Sequence, residues 1–165
     1  DQGRSAALVS VRRNLKKAVD PQAKTGNYIN SVMAVRDARS RGADEAIMLD
    51  YEGRVAEASS ANVFAWIDDR WITPPLDVGI LGGITRSTIL ELCEEAGIPC
   101  EVRVMWPEEL SKASEILMCS SVREIVPITS LDETSVGTGK VGEQVKKLMS
   151  LYQTAVRKEV AEANA

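Results

Sequence analysis

The 165-residue sequence contains no histidine, and this absence excludes whole classes of chemistry. A Ser-His-Asp triad, a histidine proton relay and an ordinary histidine-bearing zinc site all need a side chain that the chain does not possess. Acid–base work must therefore fall to lysine, tyrosine, aspartate or glutamate. Cysteine is also scarce, since Cys93, Cys100 and Cys119 are odd in number and show no CxxC spacing. We interpret them as reduced thiols of a cytoplasmic protein and expect no metal site.

The sequence also lacks an apolar run of membrane-spanning length, a signal peptide and an initiating methionine. Hydrophobic residues make up 44% and charged residues 27%, which is typical of one globular domain with a real core. The net charge of −4 argues against nucleic acid or an anionic membrane as the main partner. Because a strand-like pattern begins within a few residues of the start, we expect the chain to be part of a longer polypeptide.

The hydrophobic pattern of the first half predicts one helix among several short strands. We expect strands at 6–11, 45–50, 55–57, 62–67 and 71–73, and a helix at about 28–41 that Gly42 ends. The predicted apolar face of this helix consists of Ile29, Val32, Met33 and Ala38. The basic residues after the first strand are interpreted as a solvated face; they are Arg12, Arg13, Lys16 and Lys17.

The second half predicts a helix at about 86–96, a short helix that starts at Pro107 and a long amphipathic helix at 141–163. The first of these should present Ile89, Leu92, Cys93 and Ala96 on one face. Further strands are expected at 100–104, 115–119 and 125–129. Strands and helices mixed without regular βαβ alternation favour an α+β fold or an irregular α/β barrel.

Two short motifs carry residues that could act on a carbonyl cofactor. Lys24 stands in a Gly-bearing turn before the first helix, with Tyr28 four residues later. A single lysine is usually solvated, but a partly desolvated one can act as a Schiff-base nucleophile. Glu57 ends a strand and is followed by serines and Asn62. It is either an exposed strand-end acid or the partner of a protonated ring nitrogen, as a pyridoxal cofactor requires.

Two further motifs could bind an anion. The run Gly82–Arg86 precedes a predicted helix, where glycines let the main chain approach closely and the helix N-terminus offers unpaired N–H groups. It is either a phosphate cradle or an ordinary loop with Thr85 as the helix N-cap. Ser120 and Ser121, between two predicted strands, either supply further hydroxyl groups or form a turn.

In this order, the motifs resemble the class IV aminotransferases, the pyridoxal-phosphate enzymes of fold type IV. The matching runs are KTGNY at 24–28, EASSAN at 57–62, GGITR at 82–86 and SSVREIVP at 120–127. The resemblance extends from about Ser10 to about Tyr152. The family includes branched-chain aminotransferases, D-amino acid aminotransferases and 4-amino-4-deoxychorismate lyases.

The resemblance implies a role for each residue around the cofactor ring. Lys24 is expected to form the internal aldimine with pyridoxal 5′-phosphate, and Tyr28 to hydrogen-bond the phenolic oxygen. Glu57 is expected to keep the ring nitrogen protonated, Leu81 to pack on the ring and Ser60 to lie on its substrate side. The family usually has glycine directly after the acid, where this chain has alanine.

The resemblance also implies how the phosphate is held. Ile84 and Thr85 correspond to the pair whose main-chain N–H groups bind it, together with the threonine hydroxyl. Gly83 allows the close approach of the main chain, and Ser121 corresponds to a further contact, with Ser120 as its neighbour.

The family has, in addition, a smaller N-terminal domain of about a hundred residues. That domain supplies an arginine to the phosphate and part of the substrate pocket, and we expect it to be absent from this chain. Residues 1–165 are then a single domain, the larger C-terminal one. Its fold is expected to be α/β with α+β character, an irregular pseudo-barrel of mostly short strands with surrounding helices. The family resemblance also suggests a homodimer with sites near the interface.

The expected activity is transfer of an amino group between an amino acid and a 2-keto acid. The KTGNY run favours a branched-chain substrate, whereas the SSVRE run is more similar to the D-amino acid aminotransferases and the lyases. Elimination of pyruvate from aminodeoxychorismate by the same lysine therefore stays open as an alternative. A second alternative is a fragment that is inactive without its N-terminal domain or a partner chain.

Overall fold

Residues 3–24 and 26–163 are described by the structure, a computed structural model in which nine strands form one sheet beside four α-helices. The strands are β1 (Arg4–Leu8), β2 (Glu45–Leu49), β3 (Val55–Ala58), β4 (Asn62–Ile67), β5 (Arg70–Thr73), β6 (Cys100–Val102), β7 (Glu115–Ser120), β8 (Glu124–Leu131) and β9 (Thr134–Ser135). The α-helices are α1 (Ile29–Ser40), α2 (Ile84–Glu95), α3 (Pro107–Leu110) and α4 (Glu143–Ala163). Within the described ranges, no helix is both long and apolar enough to cross a membrane.

The sheet is mixed, with the strand order β3-β2-β1-β8-β7-β4-β5-β6 and β9 paired to β8. Strand β1 runs parallel to both β2 and β8, and β5 runs parallel to β6. The remaining pairs are antiparallel. Parallel and antiparallel pairs in one sheet, flanked by helices, confirm the expected α/β class with α+β character.

Two contacts show that the sheet curls. Strand β3 is an edge and β4 lies in the interior of the row, yet a two-residue turn joins them, and the Ala58 N–H donates to the Ala61 carbonyl at 2.8 Å. The Val55 N–H of the same edge strand donates to the carbonyl of Met105, which follows the opposite edge strand β6, at 2.8 Å. A flat sheet could not bring its two edges within one hydrogen bond. The expected irregular pseudo-barrel is confirmed.

The two faces of the strands alternate between the barrel interior and an outer core. In β4, Val63 points into the interior cluster and Phe64 into the outer one, as the period of two along a strand requires. In β7, Ile116 is inside and Leu117 outside. Helices α2 and α4 cover the outer cluster with the side chains of Ile89, Cys93, Val145 and Leu148. Apolar side chains therefore pack against both faces of the sheet.

The predicted apolar face of α1 is wrong for three of its four residues, and Ala38 is the member that is buried as predicted. Ile29, Val32 and Met33 are 64%, 59% and 54% exposed, whereas Ala34 and Ala38 are completely buried. These two alanines pack with the sheet residues Ala7, Ala46 and Met48 in a separate cluster, because short side chains on the helix let helix and sheet approach closely. Gly42 follows the helix with φ of 76°, which fits its predicted role as a stop.

Other boundaries differ from the predicted ones for local reasons. Strand β1 ends at Leu8 because the chain turns towards α1, where the Ser10 N–H donates to the Asp37 carboxylate at 2.9 Å. Helix α2 starts at Ile84, two residues before the predicted start, and ends at Glu95, so Ala96 follows the helix and is exposed. The two-residue strand β9 was not predicted, because so short a segment has no period.

Truncation of the outer core should destabilise the domain. Leu117 is completely buried between β7 and the helices, so Leu117→Ala is expected to lower the free energy of unfolding by about 2–5 kcal/mol, through lost burial and a residual cavity. Val122 is 92% exposed, and Val122→Ala should stay within about 0.5 kcal/mol of the wild type. Urea denaturation measures both. Equal losses in the two variants would contradict this assignment of the core.

Candidate functional site

Lys24 ends a single 3-10 turn with a left-handed backbone. The turn is formed by Pro21–Ala23, and the Asp20 carboxylate caps it by accepting from the Gln22 N–H at 3.0 Å. Lys24 has φ of 44° and ψ of 46°, and its N–H donates to the Pro21 carbonyl at 3.2 Å. A non-glycine residue in this region is uncommon, and such outliers concentrate at functional sites. The lysine is exposed, and the next residue of its motif, Thr25, lies outside the described residues.

The Gln22 side chain links this turn to the loop before α2. Its Nε2 donates to the Ile80 carbonyl at 2.9 Å, and its Oε1 accepts from the Gly82 N–H at 3.1 Å. The lysine turn and the GGITR run are therefore neighbours in space, although about 60 residues separate them in sequence. Sequence reasoning missed Gln22, since a glutamine in a short polar turn gives no signal of its own.

Glu57 is buried at the end of β3, with only 7% of the residue exposed. Its Oε2 accepts from the Leu81 N–H at 3.1 Å and lies 3.4 Å from the Asn62 Nδ2. The same Asn62 nitrogen donates to the Leu81 carbonyl at 2.8 Å. The acid and the amide thus hold both main-chain groups of Leu81. The interpretation of Glu57 as an exposed strand-end acid is excluded.

The partner of the other carboxylate oxygen is Arg13, whose Nε lies 2.6 Å from Glu57 Oε1. The prediction that Arg13 belongs to a solvated basic face is wrong for this residue, which is half-buried, whereas Arg12, Lys16 and Lys17 are exposed. Burial raises the pKa of Glu57 above its usual value, while the charge of Arg13 and the Leu81 N–H partly offset that rise. The sequence pattern of the four basic residues does not distinguish Arg13, which points inward, from the other three.

The N-terminus of α2 is open. Gly83 is its N-cap and provides no side-chain hydrogen bond, so the first N–H groups of the helix, from Ile84 to Arg86, have no acceptor within the helix. Thr85 is buried in the first turn and is not the N-cap, contrary to the ordinary-loop alternative. A Cβ on Gly83 would lie 2.3 Å from Asn62 Oδ1, so the close approach at this point requires glycine.

Arg86 fixes this helix end to the sheet. Its guanidinium is buried and donates to the Thr73 hydroxyl at 3.3 Å and to the Pro74 carbonyl at 3.0 Å, both at the end of β5. Burial lowers the pKa of Arg86. These hydrogen bonds therefore hold the N-terminus of α2 in place against the end of β5.

The β7–β8 hairpin brings the last motif to the same end of the sheet. Asn62 pairs with Cys119, so the hairpin tip lies beside the turn between β3 and β4. The Arg123 guanidinium donates to the Ser60 hydroxyl at 3.2 Å and forms an ion pair with the buried Glu45 carboxylate. The Arg123 N–H in turn donates to the Ser120 hydroxyl at 3.3 Å. Arg123 was not singled out from the sequence, because its partners come from three separate segments.

Contacts of the described residues thus bring together four groups from the sequence-predicted set. They are the Lys24 turn, Glu57 with Leu81, the Gly83–Thr85 helix start, and Ser60 with Ser120. Tyr28, Ile84 and Ser121 are exposed, and the described residues give the Tyr28 hydroxyl no hydrogen-bond partner. Ala58, where the family usually has glycine, is an ordinary residue of β3.

These groups fit pyridoxal phosphate. A lysine amine is exposed, a carboxylate is buried beside a main-chain loop, and an uncapped helix N-terminus carries a threonine in its first turn. An amine can bond an aldehyde, a carboxylate can hold a ring N–H, and a helix N-terminus can bind a phosphate. The individual roles of the ten predicted site residues stay predictions.

Comparison with known proteins gives consistent relatives. The family model described as "Amino-transferase class IV" matches residues 1–131. The branched-chain-amino-acid aminotransferase of Salmonella typhimurium is 35% identical over 153 residues, which are 92% of this chain and 50% of that protein. The branched-chain aminotransferase of Pseudomonas aeruginosa is 41% identical over 127 residues, which are 77% of this chain and 41% of that protein. The chain spans about half the length of the curated relatives it matches.

Solved structures agree with this result. The branched-chain amino acid aminotransferase from Thermobaculum terrenum in its PLP form superposes with a TM-score of 0.91 at 34% identity, covering 94% of this chain and 52% of that one. The branched-chain aminotransferase from Thermoproteus uzoniensis with norvaline superposes with a TM-score of 0.87 at 40% identity, covering 92% and 50%. Another branched-chain amino acid aminotransferase, solved with pyridoxamine 5′-phosphate, superposes with a TM-score of 0.89 at 32% identity, covering 93% and 51%. The expected resemblance and fold are therefore confirmed.

The pairing of Arg13 with Glu57 predicts a pH-dependent stability defect. In Arg13→Met the buried carboxyl loses its cation, so its pKa rises further above the ordinary value of 4.5. A carboxyl that ionises less easily in the folded than in the unfolded chain destabilises the fold as pH rises past the unfolded pKa. The loss in unfolding free energy should be small near pH 5 and reach about 3 kcal/mol at pH 8.

The matched control is Arg70→Met, which removes an exposed pair with Glu101 at 3.7 Å and should cost at most about 1 kcal/mol at either pH. Urea denaturation of the protein without cofactor measures both variants. A deficit in Arg13→Met that is the same at both pH values would contradict the assigned role of the ion pair.

Proposed function

This chain belongs to the class IV aminotransferase family, and we propose that it is the cofactor-binding part of a pyridoxal-phosphate-dependent transaminase. The observation that carries the proposal is the meeting of three segments at residues 80–82. Gln22 reaches this loop from the lysine turn, Glu57 reaches it from β3, and the loop itself leads into the open end of α2. An amine, an acid and an anion site within one contact network match what this cofactor needs.

Bound pyridoxal phosphate supplies an electron sink that stabilises negative charge at the substrate α-carbon. The Glu57 carboxylate holds a proton at the ring nitrogen, and Arg13 favours the charged form of that carboxylate despite its burial. The main-chain N–H groups of Ile84 and Thr85 bind the phosphate at the end of α2. Lys24 Nζ removes the proton from the α-carbon and returns it during amino-group transfer.

The substrates in this proposal are a branched-chain amino acid and a 2-keto acid. Support comes from relatives named branched-chain-amino-acid aminotransferases at 35% and 41% identity. The solved relative at 40% identity is described with norvaline, an unbranched apolar amino acid. These names favour the transaminase over the lyase and over a D-amino acid aminotransferase.

The proposal assigns the rest of the active site to polypeptide beyond these 165 residues. The single domain 1–165 is taken as the larger domain, and a smaller N-terminal domain supplies the phosphate-binding arginine and part of the substrate pocket. Support for this division is the coverage of about half of each relative. A homodimer with sites near its interface and a cytoplasmic location complete the proposal.

Chemical labelling tests the role of Lys24. After incubation with pyridoxal phosphate and reduction with borohydride, peptide mapping should find the pyridoxyl group on Lys24. Lys24→Ala should abolish this specific label, whereas Lys16→Ala, which removes another exposed lysine, should retain it. A label that persists in Lys24→Ala, or that lies mainly on another lysine, would exclude the proposed function.

Product analysis tests the reaction in the protein that carries this chain. We expect turnover of leucine that depends on an added 2-keto acid, because transamination needs a second carbonyl compound to accept the amino group. Release of 4-aminobenzoate from aminodeoxychorismate, without turnover of leucine, would instead identify the lyase. Turnover of D-alanine but not of leucine would identify the D-amino acid aminotransferase.

A further inference from the structure

We propose that Gln22 is a positioning residue that locks the Lys24 turn to the phosphate-binding loop. This inference rests on the proposed function and adds a residue to it. With the turn held in this way, a cofactor that is anchored by its phosphate at α2 meets the lysine amine in one fixed place. The lock is the pair of hydrogen bonds from the Gln22 amide to Ile80 and Gly82.

The loop before α2 is held through four main-chain groups at three successive residues. The Ile80 carbonyl and the Gly82 N–H bind Gln22. The Leu81 N–H and carbonyl, which lie between them, bind Glu57 and Asn62. The loop is therefore bound by Gln22 from the lysine turn and by Glu57 and Asn62 from the β3–β4 segment.

Gln22 provides the hydrogen bonds that leave the turn. Within the described part of the chain, the other hydrogen bonds of residues 20–24 close the turn on itself: the N–H groups of Gln22 and Ala23 donate to Asp20, and that of Lys24 donates to Pro21. Gly82 suits this contact, since a Cβ there would lie 3.1 Å from the Gln22 Oε1. An amide that uses both its donor and its acceptor on one neighbouring loop behaves as a bidentate clamp.

Because Gln22 is close to Lys24 in the chain, its hydrogen bonds restrict where the lysine amine can lie. Gln22 is two residues before the lysine, and Gly82 is two residues before Ile84, the first residue of α2. The lysine itself is exposed and ends a turn of only three residues. Without the clamp the amine would sample a larger volume, and displacement of a reacting group by about 1 Å can slow a reaction about a hundredfold.

The affected step is bond formation between Lys24 Nζ and the aldehyde carbon, from which the oxygen leaves as water. No oxidant or reductant takes part. Phosphate binding uses the N-terminus of α2, which Arg86 anchors independently of Gln22. Loss of the clamp should therefore slow bond formation and leave phosphate-dependent binding intact.

The experiment measures phosphate-dependent binding and bond formation at Lys24 separately in Gln22→Met. This variant keeps the length of the side chain but neither polar group. The first measurement is the Kd of pyridoxine 5′-phosphate, which carries the phosphate and ring but no aldehyde. The second is the rate of Lys24 modification by pyridoxal phosphate and by pyridoxal, followed by borohydride and peptide mapping. The matched control is Gln153→Met, at an exposed position on α4.

We expect Gln22→Met to keep the pyridoxine phosphate Kd within about twofold and to slow Lys24 modification by pyridoxal phosphate about tenfold. The ratio of the Lys24 modification rates with pyridoxal phosphate and with pyridoxal should fall by a similar factor, because a bound phosphate speeds the reaction only where the lysine is held near it. Gln22→Glu, which keeps the acceptor for Gly82 but loses the donor to Ile80, should fall between the wild type and Gln22→Met.

Two results would overturn the inference while the proposed function stands. One is an unchanged modification rate in Gln22→Met. The other is a Kd and a rate that worsen by the same factor, which indicates general damage to the site. If Gln22→Met does not fold, the same comparison is made with Gln22→Glu. Wild-type protein that shows no preferential modification of Lys24 would instead overturn the proposed function, and the inference with it.

Discussion

The structure of this site depends on one buried carboxylate. Glu57 has lost most of its water, and its compensation comes from Arg13 on one oxygen and from the Leu81 N–H and Asn62 on the other. A buried ion pair of this kind adds little net stability compared with well-packed apolar side chains. Stability therefore does not account for a charge at this place. Its position beside the open end of α2 and the lysine turn is better explained by a ligand that carries a proton to be held.

The curled sheet explains how segments far apart in the chain reach this carboxylate. The β3–β4 turn places Glu57 beside Asn62, and the pairing of β4 with β7 places the Ser120 hairpin next to them. A flat sheet in the same strand order would separate β3 from β4 by four strands. Curvature is thus the property of the fold that assembles the site, and the bridge between the buried Ala58 and Ala61 is the point where β3 meets β4.

Much of the fold could be predicted from the sequence, because most of its elements follow a simple period. The limits of β4 and the presence of α2 and α4 followed from alternating and helical patterns. The buried face of α1 could not be predicted from hydrophobicity. There the longer apolar side chains, such as Ile29, point to solvent, and close packing on the sheet selects alanine. Packing distance between elements is a tertiary property that a single-sequence pattern does not contain.

The candidate site also contains residues that could be predicted from the sequence and residues that depend on tertiary contacts. Lys24, Glu57 and Gly83 could be named from the sequence, since their chemistry is specific and their motifs occur in a known order. Arg13 and Gln22 could not, because each acts only through a partner more than forty residues away. What the structure adds is therefore the supporting layer around the reactive groups. Glu57 and the N-terminus of α2 are held by buried contacts, whereas Lys24 is an exposed residue at the end of a short turn that Gln22 joins to the loop before α2. Under the proposed function this difference has a use, because an amine that bonds a cofactor and then transfers a proton needs some freedom to move, whereas an acid that only holds a proton at the ring nitrogen does not.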